Sequence, residues 1–394
     1  MPRIRRTEGP LSKSFVNNIN QPLSRGFFFI QMKIYLSTLL LTFISFTSVA
    51  QKQYQLHDFF RYDAELEQKI DDIFDSLNDT SRIGQMIIPA AGRLGKSQEH
   101  LNSLLAKNYI GGILLLNGTK EGFTDMVKNF NAKNTINKGL PLLYSADAEP
   151  SLIGYKIKNC APVKKANLMV SREEVRKFAK SICKDLQEIG INYNYAPVVD
   201  MSPNEVISYR AFGNNPDTAQ TWSRVFIEET QTQGIVATAK HFPGHGYVVG
   251  DTHKKLVYID GKMREIDNYK PLIKAGVLSI MVAHIAIENN EKYNTNDLPS
   301  SISRKIVTDL LKNEMDFRGI VVTDAMNMGG VASIPNCELK AAQAGCDLIL
   351  MPIDEEKAVM DIVHHLHQDE AFKKQIYASV RKIIRLKICL GLFE

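Results

Sequence analysis

Short apolar runs separated by longer amphipathic stretches recur along the chain from residue 83 onward. Each run ends in glycine, proline or polar residues, a pattern typical of strands that are buried on both faces of a parallel sheet. The runs are IGQMIIPA (Ile83–Ala90), GGILLLN (Gly111–Asn117), PLLYSADA (Pro141–Ala148), INYNYAPVVD (Ile191–Asp200), VATAKHF (Val236–Phe242), LSIMVAHI (Leu278–Ile285), GIVVTDAM (Gly319–Met326) and CDLILMP (Cys346–Pro352). The pattern therefore predicts eight buried strands.

The stretches between the runs have the apolar periodicity of helices. In SREEVRKFAKSICKDLQEIG, Ser171 with Glu174 three residues later resembles a capping box, and Gly190 suits a helix C-cap. The 42 residues after Pro352 include EEKAVMDIVHHLHQ and KKQIYASVRKIIRLKICL, which are helical in character. They suffice for closing helices and leave no room for a second domain.

Eight strands that alternate with helices favour an α/β fold, a single-domain (β/α)8 barrel of the TIM type. A doubly wound open sheet is the alternative, and the count of eight favours the barrel. In such barrels the chemistry gathers at the carboxyl ends of the strands. Charged or titratable residues occur at five of these ends, where they are costly unless paired or functional. They are Asp147, Glu149, Asp200, Lys240, His241, His284 and Asp324.

The charge distribution changes this picture only at the amino terminus. The chain has 394 residues and a formal net charge of +5. Six of the 48 basic residues and one of the 43 acidic residues lie within the first 50 positions, so the remainder carries 42 of each. A balanced body has no bulk electrostatic signature of a nucleic-acid or anionic-membrane binder. We therefore expect no nucleic-acid partner.

Residues 32–50, MKIYLSTLLLTFISFTSVA, have the basic start, apolar centre and small-residue end of a secretory signal peptide. The segment predicts cleavage after Ala50, which leaves the barrel domain over residues 51–394, and export to the periplasm or the medium. A permanent membrane anchor is the alternative, since Ile34–Ala50 approaches the length of a span. We expect residues 1–31 to be an over-extended gene start or a disordered leader without a catalytic role.

The five cysteines are scattered and show no CxxC spacing, so neither a disulfide framework nor a cysteine zinc site is expected. They are Cys160, Cys183, Cys337, Cys346 and Cys389. One or two pairs in an exported protein stay an open alternative. Cys346 lies in the apolar stretch AAQAGCDLILMP and is expected to be a small buried residue.

The segment KHFPGHGYVVGDTH, Lys240–His253, holds the densest chemistry of the chain. A zinc site would recruit His241, His245, Asp251 and His253 as ligands. Their spacing matches no helical histidine pair, and no glutamate stands beside them as a base. The glycines do not form a dinucleotide fingerprint, and a phosphate-binding loop is missing. We therefore expect neither a metal nor an organic cofactor.

A catalytic interpretation of the same segment uses the Asp-x-His pair, Asp251 and His253. A carboxylate bonded to one imidazole nitrogen fixes the tautomer and raises the basicity of the other nitrogen. That nitrogen can protonate a leaving group and later deprotonate water. Gly246 and Gly250 would make the segment mobile above a bound substrate. A solvated loop with a chance histidine is the alternative from these residues alone.

The pattern KHFPGHG, followed after four intervening residues by D-x-H, resembles family 3 glycoside hydrolases in the β-N-acetylhexosaminidase branch. Members of that branch use the histidine of an Asp-His dyad as acid/base, where most glycosidases use a second carboxylate. The resemblance covers roughly Ile83–Met351. The other elements that carry it, in order, are GQMI (Gly84–Ile87), PLLYSADAE (Pro141–Glu149), APVVDMSPN (Ala196–Asn204), SYRAFGNNP (Ser208–Pro216), PSSIS (Pro299–Ser303) and FRGIVVTDAMNM (Phe317–Met328).

The resemblance implies a retaining glycosidase that releases terminal β-linked N-acetylglucosamine from glycans or peptidoglycan fragments, without a cofactor. It implies Asp324 as the nucleophile that forms a covalent glycosyl-enzyme, His253 as the acid/base and Asp251 as its orienting partner. From the residues alone, Asp324 is alternatively a helix N-cap. The residues implied to contact the substrate are Asp147, Arg210, Lys240, His241 and His245, the last with an equal claim to a structural role. His284 either lines the floor of the site or is a core histidine.

The chain also departs from the family pattern. Pro150 and Ser151 follow Glu149 where Gly-Gly-Arg is common, with Lys156 nearby, and Ala211 stands where serine is frequent. A β-glucosidase or glycoside phosphorylase of the same family, and a non-catalytic glycan-binding protein, therefore stay as alternatives. The expected partner is a small carbohydrate, an N-acetylglucosamine-containing glycan or muropeptide. We expect a monomer with no stable membrane span in its mature form.

Overall fold

The computed structural model describes residues 52–201 and 203–393, so the predicted leader and signal peptide lie outside the described residues. The strands are β1 (Ile87–Ile88), β2 (Ala90–Ala91), β3 (Gly112–Leu115), β4 (Gly118–Thr119), β5 (Leu143–Ala146), β6 (Ile157–Lys158), β7 (Tyr193–Asn194), β8 (Val236–Phe242), β9 (Val257–Asp260), β10 (Ser279–Val282), β11 (Ile285–Glu288), β12 (Ile320–Thr323) and β13 (Ile349–Leu350). The helices are α1 (Ala64–Asp75), α2 (Asp79–Gly84), α3 (Gln98–Ala106), α4 (Lys120–Ile136), α5 (Ile153–Lys156), α6 (Arg172–Ile189), α7 (Pro216–Thr232), α8 (Ile266–Lys274), α9 (Cys337–Ala344), α10 (Glu355–Leu366) and α11 (Glu370–Cys389), with a π-helix at Lys305–Glu314.

All eight predicted apolar runs contain strands of one parallel barrel. Seven strands follow one another in the order β2-β3-β5-β7-β8-β10-β12. Strand β1, which belongs to the same run as β2, pairs in parallel with β13. An isolated parallel bridge between Val322 and Leu348 joins β12 to the run of β13 and closes the ring. The predicted (β/α)8 fold is therefore confirmed.

Burial on both faces explains why the strands appear in the sequence as continuous apolar runs. Every residue of β8, Val236–Phe242, is buried, because alternate side chains fill the barrel interior or pack against the outer helices. The same holds for β3, β5, β10 and β12. The two charged or titratable residues at the end of β8, Lys240 and His241, are therefore inside the protein at the end of an apolar strand.

The fourth run is regular over only two residues, although its sequence predicted a longer strand. Pro197 has no amide hydrogen to donate to a ladder, which limits the regular pairing. The chain nevertheless continues beside β8: Val198 bridges to Lys240, and the Val199 amide donates to the Lys240 carbonyl at 2.8 Å. This extended segment brings the Asp200 carboxylate to the carboxyl end of β8.

The predicted helix between the third and fourth runs is α6. The Ser171 side chain accepts a hydrogen bond from the Glu174 amide, and Gly190 ends the helix with φ 95°. The reciprocal bond of the predicted capping box is shifted by one residue, since Glu174 Oε2 accepts from the Val170 amide at 2.8 Å. The two predicted carboxyl-terminal helices are α10 and α11.

Two short parallel strand pairs supplement the ring. One joins β4 to β6, and the other joins β9 to β11 in the register from Val257–Ile285 to Asp260–Glu288. Strand β9 begins four residues after His253. Its pairing therefore fixes where the segment with the Asp-x-His pair rejoins the rest of the fold.

The five cysteines are all unpaired, and Cys346 is fully buried as predicted. In the part of the chain that the structure describes, no helix is long and apolar enough to cross a membrane.

Candidate active site

A cavity of about 670 Å³ opens at the carboxyl ends of the barrel strands. Seven of the eight predicted site residues line it: Asp147, Arg210, Lys240, His241, His245, His253 and Asp324. They come from the ends of β5, β8 and β12, from the segment between β7 and α7, and from the segment between β8 and β9. The fold therefore brings together side chains that are far apart in sequence. Another cavity, of about 730 Å³, lies among residues 53–60, the end of α7 and the end of α11, and none of the predicted site residues lines it.

Four charged side chains form a group that we call the floor network: Glu149 and Lys240, which are buried, and Asp147 and Arg210, which are partly buried. Lys240 Nζ lies 2.9 Å from Asp147 Oδ1 and 2.6 Å from Glu149 Oε1. Arg210 holds the Glu149 carboxylate through two bonds, of 2.8 Å from Nε and 2.7 Å from Nη2. Because two hydrogen bonds join them, the Arg210 guanidinium and the Glu149 carboxylate are held in one relative orientation.

The floor network is ionised because its members neutralise one another. Burial acts to raise the pKa of Glu149, but the charges of Arg210 and Lys240 outweigh it and hold that pKa well below its ordinary value. Burial likewise acts to lower the pKa of Lys240, and Asp147 and Glu149 reverse the direction and raise it. Two of the three N–H donors of Lys240 are directed at carboxylates, which leaves one for a ligand in the cavity.

Asp200 organises the two histidines on the adjacent strand end. Its Oδ2 lies 2.6 Å from His241 Nδ1, and its carboxylate also accepts from the backbone amides of His241 and His245. Burial acts to raise the pKa of Asp200, but His241 and these hydrogen bonds outweigh it and lower the pKa. The bond at Nδ1 orients the His241 ring so that Nε2, 3.5 Å from Arg210 Nη2, faces the floor network.

Asp324 follows β12 directly, and its carboxylate is partly exposed to the cavity. The Ala325 amide donates to Asp324 Oδ1 at 2.8 Å. The next helix, α9, begins only at Cys337, so Asp324 does not cap a helix. Burial acts to raise the pKa of Asp324, but His241, His284 and the Ala325 amide outweigh it and lower the pKa. The side chain is therefore a carboxylate that faces open space.

His284 is a satisfied core histidine. It is fully buried, with Nδ1 2.7 Å from Ser301 Oγ and Nε2 2.9 Å from the Ala325 carbonyl. Both ring nitrogens thus have partners within the protein. His284 supports the backbone directly after Asp324 and does not line the cavity.

Asp251 and His253, which we call the dyad, lie between β8 and β9. Asp251 Oδ1 accepts from the His253 amide at 2.9 Å and lies 2.7 Å from His253 Nδ1. Burial acts to raise the pKa of Asp251, but its two bonds to His253 outweigh it and lower the pKa. The His253 side chain is 61% exposed at the edge of the cavity, while Asp251 lies behind it. Nε2 is the ring nitrogen left for proton transfer.

Gly246 has a packing role in the same segment. A Cβ on Gly246 would lie 2.0 Å from the Met201 carbonyl oxygen, and its amide donates to Glu265 Oε2 at 2.8 Å. Glycine is therefore required at position 246 because two backbone segments approach closely there. Gly250 adopts φ 117°, which favours glycine for its backbone conformation. Mobility of the segment stays a prediction.

Three residues that shape the site were given no catalytic or substrate-contact role from the sequence: Glu149, Asp200 and Glu265. Glu149 and Asp200 had a signal, because each is a charged residue at the end of an apolar run. Glu265 had none, since KMREIDN is typical of an exposed helix start. In the structure Glu265 is buried, accepts from the Met201 and Gly246 amides, and lies near Asp200. Burial and the Asp200 charge raise the pKa of Glu265 to about 8.

The three histidines of the segment KHFPGHGYVVGDTH have three different partners. His241 contacts Asp200, His245 Nε2 lies 3.2 Å from Thr252 Oγ1, and His253 contacts Asp251. Over residues 52–201 and 203–393, no group of three or more His, Cys, Asp or Glu side chains is arranged to hold a metal ion.

A barrel in which strand-end carboxylates and the histidine of an Asp-His pair line one cavity has the form of a glycoside hydrolase site. Residues 79–386 match the model of the glycosyl hydrolase family 3 N-terminal domain. The chain therefore belongs to glycosyl hydrolase family 3.

Named relatives narrow the comparison. A beta-hexosaminidase A of Pseudoalteromonas piscicida is 27% identical over 326 residues, which are 73% of this chain and 54% of that protein. A beta-N-acetylglucosaminidase/beta-glucosidase of Cellulomonas fimi is 28% identical over 316 residues, 75% of this chain and 55% of that protein. The chain thus spans about half the length of these two curated relatives. The solved family 3 beta-N-acetylglucosaminidase of a Paenibacillus species has a TM-score of 0.72 and 26% identity, over 81% of this chain and 64% of that chain.

Proposed function

We propose that this protein is a retaining, exo-acting glycosidase that releases terminal β-linked N-acetylglucosamine from glycans or peptidoglycan fragments. One observation carries the proposal: the carboxylate of Asp324 and the ring of His253 line the same cavity, and Asp251 is bonded to that ring. The two groups that a retaining mechanism requires thus come from separate elements to one space. The relatives named as hexosaminidases support the choice of sugar.

In the first step the Asp324 carboxylate attacks the anomeric carbon, and the glycosidic carbon–oxygen bond breaks. His253, protonated at Nε2, donates its proton to the departing oxygen, so that the aglycone leaves as a neutral alcohol. The ionised state of Asp324 suits this role, because a carboxylate is the nucleophilic form. Asp251 stabilises the imidazolium before the transfer and holds the ring in place.

In the second step a water molecule replaces the aglycone. His253, now neutral, accepts a proton from that water, and the oxygen attacks the anomeric carbon. The bond to Asp324 breaks and the carboxylate is restored. Two inversions at one carbon give net retention of configuration. The exposure of His253 fits this step, since the ring must meet both aglycone and water.

The floor network supplies the directional contacts that a sugar requires. Lys240 donates, Asp147 accepts, and His241 presents a ring held by Asp200. Each group is oriented by a protein partner before substrate binds, so little reorganisation accompanies binding. Tyr155 and Tyr209, which are 69% and 39% exposed, also line the cavity, and aromatic rings of this kind suit the apolar face of a second sugar.

Export of the protein rests on residues 32–50, which lie outside the described residues, and stays part of the proposal together with the monomeric state. A muropeptide is the natural material that an exported enzyme of this class would meet in the cell wall.

The test is a substrate panel on residues 51–394. It comprises an aryl β-N-acetylglucosaminide, the matching β-glucoside, chitobiose and a muropeptide fragment, each with and without phosphate. We expect hydrolysis of the N-acetylglucosaminides, and NMR should detect the β-anomer of the released sugar as the first product. An α-configured product would contradict retention, and sugar binding without turnover would indicate a glycan-binding protein.

A β-glucosidase is the second candidate, and one finding favours it. The Cellulomonas fimi relative carries both activities in its name. A faster rate on the glucoside than on the N-acetylglucosaminide would select this candidate, and acceleration by phosphate would indicate a phosphorylase.

A second experiment tests the acid/base role. Replacing His253 with alanine should reduce kcat/KM for chitobiose by roughly 10² to 10⁴-fold, because the leaving alcohol needs a proton. The loss should be much smaller for an aryl substrate whose leaving group departs as an anion. Equal losses on both substrates would remove His253 from this role.

A further inference from the structure

Thr252, the residue between the two members of the dyad, lines the same cavity as His253 but is buried. Thr252 is 2% exposed, whereas the His253 side chain is 61% exposed. Such alternation places the proton-transferring ring at the cavity edge and buries the residue beside it. Thr252 is thus a buried residue within this otherwise exposed segment.

Thr252 is held from two sides. Its Oγ1 lies 3.2 Å from His245 Nε2, and its carbonyl accepts from the Gly330 amide at 3.0 Å. The next carbonyl, that of His253, accepts from the Gly329 amide at 3.1 Å. The two glycines belong to the turn that follows Asp324 and β12. The backbone that carries the dyad is therefore hydrogen-bonded to the backbone that carries the cavity carboxylate.

The contact requires glycine on the β12 side. A Cβ on Gly329 would lie 2.4 Å from the Lys254 carbonyl oxygen and 3.0 Å from that of His253. A Cβ on Gly330 would lie 3.2 Å from the Thr252 carbonyl oxygen. Any side chain at Gly329 would therefore push the two backbones apart, since backbone atoms cannot move aside as a flexible side chain can.

The His245 contact extends the connection to the cavity floor. The His245 amide donates to Asp200 Oδ1 at 2.9 Å, and the same carboxylate holds the His241 ring. A continuous path thus runs from Asp200 through His245 to Thr252. The dyad is tied both to the strand end of Asp324 and to the floor of the cavity.

The ends of the segment are anchored separately. Before the dyad, Asn204 Nδ2 donates to the carbonyls of Val248 and Gly250, at 2.6 and 3.1 Å. After the dyad, β9 pairs with β11. Between these anchors the His253 ring has few neighbours of its own, because it is mostly exposed. Its position therefore depends on the backbone beneath it.

We propose that Thr252, Gly329 and Gly330 form a latch that sets the distance between His253 and Asp324. They are positioning residues for the dyad and do not touch the reacting atoms. An acid/base must lie within hydrogen-bond reach of the leaving oxygen, and a displacement of about 1 Å can cost about 10²-fold in rate. This inference rests on the proposed function of Asp324 and His253.

The kinetic test compares Thr252→Val with Thr252→Ser. Valine keeps the shape of threonine but removes Oγ1 and leaves His245 Nε2 without that partner, whereas serine keeps the hydroxyl. We expect Thr252→Val to lower kcat/KM for chitobiose about 10-fold, with a loss under about 3-fold for a good aryl leaving group. Thr252→Ser should be close to wild type on both. A serine variant as impaired as the valine variant, or equal losses on the two substrates, would overturn the latch.

Gly329→Ala tests the backbone side of the latch, and Gly154→Ala is its matched control. A Cβ on Gly154 would meet no atom within 4 Å. We expect Gly329→Ala to lower kcat/KM for chitobiose about 10²-fold, with a smaller loss for the aryl substrate. Retained aryl turnover shows that the variant has folded. A Gly329→Ala variant that behaves like Gly154→Ala would contradict the proposal.

Amide hydrogen exchange separates failure of the latch from failure of the proposed function. In the wild-type protein the Gly329 and Gly330 amides should be protected, and Thr252→Val should speed their exchange at least about 10-fold. This measurement needs no substrate. Unprotected amides, or protection that Thr252→Val leaves unchanged, would refute the latch even if the enzyme is active. Protection that responds to Thr252→Val in a protein without glycosidase activity would refute only the proposed function.

Discussion

The floor network and the dyad face the same cavity but are held by opposite means. The centre of the floor network, Glu149 and Lys240, is buried, and Asp147 and Arg210 are partly buried. Each of the four charges contacts two or more atoms of opposite charge. The His253 ring is mostly exposed and has one carboxylate partner. A group that holds a sugar gains from a fixed orientation, whereas a group that transfers protons must reach aglycone and water in turn. The difference indicates that packing orients the floor and backbone hydrogen bonds orient the dyad.

Substitutions in the two regions should therefore differ in their effect on stability. A buried charge that loses its partner is strongly destabilising, because no water replaces the lost contact. An exposed ion pair contributes little to stability, because solvent screens it. Substitutions in the floor network should accordingly change both folding and activity, whereas substitutions in the dyad should change activity alone. Five predictions follow from this comparison.

The largest effect is expected at the carboxylate between the two regions. Asp324→Ala should lower kcat/KM by roughly 10⁴-fold or more on every active substrate, because no other group replaces the nucleophile. Intact-protein mass spectrometry with a slow substrate should detect a sugar adduct on the wild type and none on the variant. Turnover retained within 10²-fold of the wild type would be incompatible with the assignment.

The floor network is tested by Glu149→Gln. The free energy of unfolding should fall by about 3–5 kcal/mol, because Arg210 and Lys240 stay buried without their shared carboxylate. Urea denaturation followed by circular dichroism measures the change. Glu228→Gln, which breaks the exposed pair with Arg224, is the matched control and should shift stability by under about 0.5 kcal/mol. Similar shifts for both variants would show that the floor network is not a stability element.

The dyad is tested by Asp251→Asn. The amide cannot stabilise the imidazolium, so kcat/KM for chitobiose should fall about 10²-fold. The free energy of unfolding should stay within about 0.5 kcal/mol of the wild type, since the pair with His253 is exposed. The comparison between the regions breaks if this variant loses as much stability as Glu149→Gln.

A further prediction concerns the pH dependence of stability. The pKa of Glu265 is raised to about 8 from 4.5, so the folded protein keeps a proton that the unfolded chain releases in this interval. Its contribution is present below about pH 4.5 and is lost as the pH rises toward 8, with a slope of up to about 1.4 kcal/mol per pH unit. Glu265→Gln cannot ionise and should flatten that slope in urea titrations between pH 5 and 8. Parallel pH curves for the two proteins would disprove the shift.

The two carboxylates of the floor network, and Asp200 beside it, should change stability with pH in the opposite direction. The pKa values of Asp147, Glu149 and Asp200 are lowered, so their contribution to stability is present above about pH 4 and is lost as the pH falls. Acid unfolding below pH 4 in the wild type, unchanged by Glu265→Gln, would separate the two contributions.

Some residues of the candidate site could be predicted from the sequence and others could not. Lys240 and His241 could be found because charged groups at the end of an apolar strand need a reason, and seven of the eight predicted site residues do line one cavity. The close packing of Gly246 against Met201 was not predicted, since a glycine in a polar segment is equally typical of a hinge and of close approach. Glu265 was missed because its burial depends on hydrogen bonds from the Met201 and Gly246 amides, which lie in segments distant in sequence.

The sequence by itself determined the eight strands, their order and the helices between them, because burial and period are properties of each short segment. It also determined which strand ends carry charge, since these residues interrupt apolar runs. Only the tertiary structure decided that Asp200 orients His241 and that Thr252 contacts Gly330. Those contacts join segments far apart in the chain, and their geometry depends on the closure of the barrel, which no local pattern contains.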